Sequence, residues 1–213
     1  MQKRQVLKGL IPVALALCLP SGFAQTAPFK IGFILPMTGQ QASTGRQIEA
    51  AVKLYMAQNG STVAGRKIEL IVKDDAAVAD TTRRIAQELV VNDKVDVIAG
   101  FGITPTAMAT APIATQSKTP MVVTAAATSV ITTASPYIVR TSFTLPQAAV
   151  SIADWAAKNK IKRVVTLVSD YAPGIDAEKF FKSQFTAKGG PGDRRDPRAA
   201  EGARFRALLA EGA

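Results

Sequence analysis

Histidine is absent from this chain of 213 residues, and cysteine occurs once. The missing His removes the commonest catalytic base and the commonest metal ligand together. The single Cys18 lies in the first 24 residues. A chain processed beyond them carries no disulfide and must hold itself together by its core, which suits a bacterial periplasm. Aromatic residues make up 6% of the chain, and none interleaves with the one dense basic cluster, Lys158, Lys160, Lys162 and Arg163. That cluster reads as a solvated face rather than a nucleic-acid surface. Acidic residues are outnumbered and the net charge is +10, but three units fall before residue 25 and one falls in residues 191–213. The remaining six are spread over residues 25–190 and form no stripe for a polyanion. With 47% apolar and 20% charged residues, the composition is that of a folded, soluble protein.

What is present begins with an export signal. Lys3, Arg4 and Lys8 precede an apolar run at residues 10–19, and Gly22, Phe23 and Ala24 follow. A charged start, a short apolar stretch and a small-x-small site predict a signal peptide over 1–24, cut after Ala24. The run is too short for a permanent transmembrane helix. Leu17 stands before Cys18 where a lipid-attachment site wants a small residue.

Beyond Pro28 the pattern alternates. Residues 30–35, 67–72, 95–99 and 121–123 are apolar runs of strand length. Between them, Ile48, Ala51, Val52, Tyr55 and Met56 recur at helical spacing, and Asn59-Gly60 ends that helix. Asp80 is placed to cap a second helix carrying Ile85, Ala86, Leu89 and Val90. Thr104 and Pro105 fit a cap followed by Pro at the first helical position, and Pro112 should kink or end that third helix. Strands alternating with helices predict an α/β fold, a parallel sheet flanked by helices on both faces. A short extended segment at 137–140, a helix opening at Pro146 with Val150, Ala153 and Trp155, a strand at 163–168 and a helix at 175–185 then begin a second unit, with a hinge over 141–145.

In parallel sheets ligands sit beyond the carboxyl ends of the strands. The loops to examine are therefore 35–44, 74–77, 100–104 and 124–129. Gly100-Phe101-Gly102 resembles the start of a dinucleotide fingerprint, but the third Gly is missing and the motif follows the third strand instead of the first. No phosphate loop of the GxxxxGK type occurs. Asp74 and Asp75 have no partner base and read as solvated acids at a strand end. Asp154, Asp170, Asp176 and Glu178 lack metal-ligand spacing. No active site emerges. The loops at 100–104 and 124–129 are rich in small residues, so their N–H groups can approach a ligand, and Thr104 and Thr128 add hydroxyls that donate and accept. A helix N-terminus there favours an anion such as a carboxylate. Threonines in such places also cap helices and close turns, and both roles stand on spacing alone.

The run of segments resembles the periplasmic substrate-binding proteins of branched-chain amino acid ABC transporters, the Leu/Ile/Val-binding family. The residues that carry the resemblance are IGFILPMTGQQASTGRQIEAA at 31–51, KIELIVKDDA at 67–76, ELVVNDKVDVIAGFG at 88–102, TPMVVTAAATS at 119–129, SPYIVRTSFT at 135–144 and RVVTLVSDYAPG at 163–174, in family order. It implies a type I periplasmic-binding-protein fold, with a first lobe over 25–143 and the start of a second over 144–190. It implies capture of an amino acid, branched-chain or a related carboxylate, in the periplasm and delivery to a membrane permease. No enzyme activity, metal or cofactor is expected, and the protein should be a monomer. A sensor's ligand-binding module shares this fold and is the alternative; an exported α/β enzyme is a further one. Carried over by position, Thr104 falls at or beside the family's hydroxyl ligand. Ala126 falls where a backbone carbonyl serves, and Thr128 where a backbone group and a hydroxyl serve. Thr44 stands where some relatives place Tyr, and Tyr171 lies near the second lobe's aromatic contact. Ala77 stands where some relatives begin a disulfide.

The last segment breaks the pattern. Up to Gly190 the chain uses 14 Lys and 7 Arg; residues 191–213 use five Arg and no Lys. A shift of this kind predicts a change of reading frame near codon 190, with 191–213 translated out of frame and the second lobe only begun. The alternative for 199–210 is an amphipathic helix, because Ala, Glu, Arg and Leu form helices readily.

Overall fold

Five strands that run the same way and a short sixth that runs against them assemble into one sheet. A computed structural model of the chain describes residues 26–190. The export signal expected at 1–24 and the tail at 191–213 lie outside the described residues. The strands are β1 (Phe29–Leu35), β2 (Thr62–Val63), β3 (Arg66–Asp74), β4 (Val97–Gly100), β5 (Met121–Val123) and β6 (Ile138–Arg140), and their order across the sheet is β2-β3-β1-β4-β5-β6. All neighbours pair in parallel except β2, which folds back on β3 through Ala64 and Gly65, both at positive φ. That two-residue turn is the twisted hairpin type.

Side chains alternate across β1 and β4, and each set meets its own layer of helices. Ile34 and Ile98 face α2 (Ala79–Val91) and α3 (Thr104–Ser117), where Ile85, Leu89, Ala107, Ala111 and Ala114 complete the larger core. Phe33, Leu35 and Ala99 face the other way, toward Ile48 and Val52 of α1 (Ala42–Asn59). The α/β class and the parallel sheet covered on both faces are as the sequence predicts. A third, small cluster joins α4 (Leu145–Lys158) to α5 (Ala172–Ala187) through Ala153, Ala156 and Phe185, with the rings of Phe181 and Phe185 stacked at 5.6 Å. No helix among the described residues is long and apolar enough to cross a membrane.

Several local expectations are corrected. Residues 163–168 form no strand: Val165 is 94% exposed, and no neighbouring strand among the described residues pairs with the run. An apolar run becomes a strand only when a partner supplies the ladder bonds, and the sheet ends at β6. Pro112 does not end α3, which continues to Ser117. Proline removes one intrahelical bond, and the buried Ala111, Ile113 and Ala114 around it hold the helix in place. Asp80 is not the cap of α2; that position is Val78, and Asp80 sits in the first turn beside Arg83 at 2.9 Å. Trp155 and Tyr55, expected on apolar faces, are 60% and 67% exposed.

Candidate ligand-binding site

The chain leaves β1 for β3 on one side, then returns to β4 on the other. Between β1 and β4 the winding direction reverses, and at such a point the loops diverge and open a crevice at the carboxyl edge of the sheet. The backbone there is specialised. Gly100 has φ +119°, and a Cβ on it would stand 2.0 Å from the carbonyl oxygen of Ile34. No other residue fits. The next residue, Phe101, also has positive φ (71°) and is fully buried. A bulky residue in that region is strained, and such strain gathers at functional loops. Phe101 is held there by its N–H donating to Ile34 O at 3.0 Å, while its own carbonyl accepts from Ala126 N–H at 3.0 Å. The two-residue bend brings Gly102 against Pro36, so closely that a Cβ on Gly102 would lie 2.7 Å from the ring.

The bend delivers Thr104 to the first turn of α3. The structure makes Ile103 the cap and Thr104 the first helical residue, one step from the sequence expectation, and Thr104 caps nothing. Its hydroxyl lies 2.6 Å from that of Thr128, and the two residues are 4% and 2% exposed. One hydroxyl donates to the other, which leaves the second O–H to donate elsewhere. The first N–H groups of α3 have no intrahelical partners. Among the described residues the N–H groups of Ala127 and Thr128 find no hydrogen-bond acceptor either. The result is a concentration of donors at the positive end of a helix, an arrangement that favours a carboxylate. Among the described residues the hydrogen-bond partner of each hydroxyl is the other hydroxyl, not a base. Among the described residues no group of three His, Cys, Asp or Glu is placed to hold a metal ion.

The other predicted residues divide. Ala126 is buried beside the pair, and its carbonyl already accepts from Arg140 Nη1 at 3.4 Å. Thr44 is half-buried in the first turn of α1, directly after the 36–41 loop that meets Gly102. Tyr171 occupies the position before α5, without a capping bond from its side chain, and is 45% exposed; no bond of its side chain joins it to the threonine pair.

Asp74 is exposed at the end of β3, as the sequence reading has it, whereas Asp75 is buried and not solvated. Asp74 gathers the loop after β1, accepting from Met37 N–H (2.8 Å), Thr38 N–H (3.3 Å), Thr38 Oγ1 (2.6 Å) and Ala76 N–H (2.8 Å). Desolvation pushes its carboxyl up, yet these hydrogen bonds, led by that of Thr38, outweigh it and hold the group below the usual carboxylate value. Asp75 is fully buried and bonds Thr82 Oγ1 at 2.8 Å and Ala77 N–H at 2.9 Å. Asp74 thus ties the loop after β1 to the end of β3, and Asp75 ties that end to α2. Sequence reasoning also missed Arg140 and Asp176, which grip the 126–129 loop from two sides. Their contacts span 12 to 47 residues, beyond any spacing rule.

The parallel sheet, wound both ways from β1 and covered by helices on both faces, is the frame of a doubly wound α/β lobe. The chain belongs to the periplasmic binding protein family, which it matches over residues 28–206. It is 43% identical over 186 residues to Leu/Ile/Val-binding protein homolog 6 of Brucella abortus (strain 2308), covering 86% of this chain and 48% of that one. Among solved structures it is similar to a solute binding protein of an ABC transporter from Rhodopseudomonas palustris BisB5 in complex with 3,4-dihydroxybenzoic acid. That match has a TM-score of 0.75 and 67% identity, over 76% of this chain and 45% of the other. A second solute binding protein from R. palustris, in complex with 4-hydroxybenzoate, matches with a TM-score of 0.75 and 43% identity over 78% and 45%. The chain therefore spans about half the length of the relatives it matches.

Proposed function

We propose that the protein is the extracytoplasmic solute-binding component of an ABC importer, and that its ligand is a small aromatic carboxylate of the hydroxybenzoate class. The observation that carries this reading is the buried Thr104–Thr128 pair at the N-terminus of α3, beside the β1/β4 switch point. It offers oxygen-seeking donors to a carboxylate. The 67% identical relative was solved with a dihydroxybenzoate, which supports an aromatic acid over an amino acid. The protein binds its ligand without transforming it.

The same reading places the protein in the periplasm after removal of residues 1–24, with the ligand passed on to a membrane permease. Residues 25–143 are the first lobe and 144–190 open the second, hinged at 141–145. Thr104, Thr128 and the N–H groups around Ala126 take the carboxylate, while Thr44 and Tyr171 stand toward the remainder of the ligand. A branched-chain amino acid is the second reading, favoured by the name of the Brucella relative. Titrating the purified protein with 4-hydroxybenzoate, 3,4-dihydroxybenzoate and leucine decides between them: saturable binding of the benzoates is expected, and binding of leucine in their place would reverse the assignment.

A further inference from the structure

The peptide unit between Thr128 and Ser129 is held at both ends by opposite charges. Its carbonyl accepts from Arg140 Nη1 at 2.7 Å. Its N–H donates to Asp176 Oδ2 at 2.8 Å, and the Ser129 hydroxyl donates to the other carboxylate oxygen at 2.7 Å. Because the peptide is planar, fixing C=O on one side and N–H on the other leaves it no freedom to rotate. Both bonds are charge-assisted and so about twice as strong as neutral ones. Arg140 also takes the Ala126 carbonyl at 3.4 Å, which turns the Ala127 N–H, anti to it, the opposite way.

We propose that Arg140 and Asp176 are positioning residues for the ligand: by clamping the 128–129 peptide they aim the Thr128 hydroxyl and the free N–H groups of the loop into the crevice. The proposal rests on the carboxylate reading of the site. Its chemistry is specific. The carbonyls of Ala126 and Thr128 are negative dipole ends that would oppose an anionic ligand, and the guanidinium draws both away and screens them. Asp176 in turn sits at the start of the short 3₁₀ turn Ser129–Thr133, where a negative group is favoured. Burial lowers the Arg140 pKa from its ordinary value and the nearby Asp176 acts against that. The guanidinium stays charged at any working pH.

The clamp also reaches across the chain. Arg140 belongs to β6 of the sheet, whereas Asp176 belongs to α5, packed on α4 outside it. The seating of α5 and the grip on the ligand therefore share one peptide bond, and a change in one is felt by the other.

Amide hydrogen exchange on the ¹⁵N-labelled full chain, paired with titration by 4-hydroxybenzoate, tests this. In Asp176→Asn and Arg140→Lys, exchange at Ser129 should quicken and affinity for 4-hydroxybenzoate should fall about tenfold to hundredfold, while exchange in β1 and β4 stays as in the parent. Ser129→Ala, which keeps the N–H and loses only the hydroxyl bond, should show a smaller loss of affinity; it and Arg140→Lys decide the matter if Asp176→Asn does not fold. Faster exchange with parental affinity would overturn the positioning role and leave a merely structural brace. If the parent itself binds no hydroxybenzoate, the ligand reading fails separately. The clamp is then judged on exchange alone: unchanged protection at Ser129 in Asp176→Asn overturns it, and lost protection upholds it.

Discussion

Replacing the paired threonines by valine, singly and together, separates what the hydroxyls do for the fold from what they do for a ligand. Valine preserves the shape and removes the O–H. At 4% and 2% exposure neither hydroxyl has water to fall back on, and each has the other as its partner at 2.6 Å. Thr104→Val therefore strands the Thr128 oxygen, and Thr128→Val strands that of Thr104. Leaving a buried polar group unpaired costs about 1–3 kcal/mol, whereas replacing both partners by apolar groups of the same shape is nearly neutral. The double variant should thus be more stable than the sum of the singles implies, with a coupling of about 1–3 kcal/mol. Ligand binding should behave in the opposite way. The double variant has lost the hydroxyl donors altogether, and a hydrogen bond to a charged oxygen contributes about 1.5–3 kcal/mol, or roughly tenfold to a hundredfold in affinity. Urea denaturation of the four proteins measures the first quantity and titration with 4-hydroxybenzoate the second. Additive destabilisation would show that the two hydroxyls are not partners. Parental affinity in the double variant would refute the site.

Two further perturbations follow from the crevice backbone. Gly100→Ala must place a methyl 2.0 Å from the Ile34 carbonyl at φ +119°, and should cost about 3 kcal/mol or more of stability; a variant as stable as the parent in thermal denaturation would contradict the bend. Asp74→Ala removes an acceptor of four hydrogen bonds, but the group is exposed and water can take over part of them, so the loss should be about 0.5–1.5 kcal/mol at neutral pH. Since the folded carboxyl lies below its unfolded value of about 3.9, its contribution is fully present above that pH and is lost as pH falls through the lower folded value. The stability gap between parent and Asp74→Ala should therefore close below about pH 4, and a gap that persists undiminished at lower pH would contradict the role of the ionised form.

Most of the sheet was legible because β1, β3, β4 and β5 are apolar runs separated by helical periodicity. A parallel order then puts the 35–44, 100–104 and 124–129 loops at one edge without further information. What was not legible depends on contacts between distant residues. Nothing local tells that Thr104 will bond Thr128 instead of capping α3, or that Asp74 will close on the loop after β1. The positive φ of Phe101 follows from the close approach of Gly100 to Ile34, which only the paired strands create. Residues 163–168 have the composition of a strand, but composition is blind to whether a neighbour is there to pair with. Ser129 and Asp176 lie 47 positions apart and carry no motif.

The central claim is that the donor-lined crevice beside α3 takes a hydroxybenzoate. The most direct measurement is an NMR titration of the ¹⁵N-labelled protein with 4-hydroxybenzoate and, separately, with leucine. The account predicts saturable shifts for 4-hydroxybenzoate concentrated in the amides of Gly102–Thr106 and Ala126–Ser129, and none of that pattern with leucine. Shifts at those amides with leucine alone, or benzoate-induced shifts confined to other parts of the sheet, would contradict it.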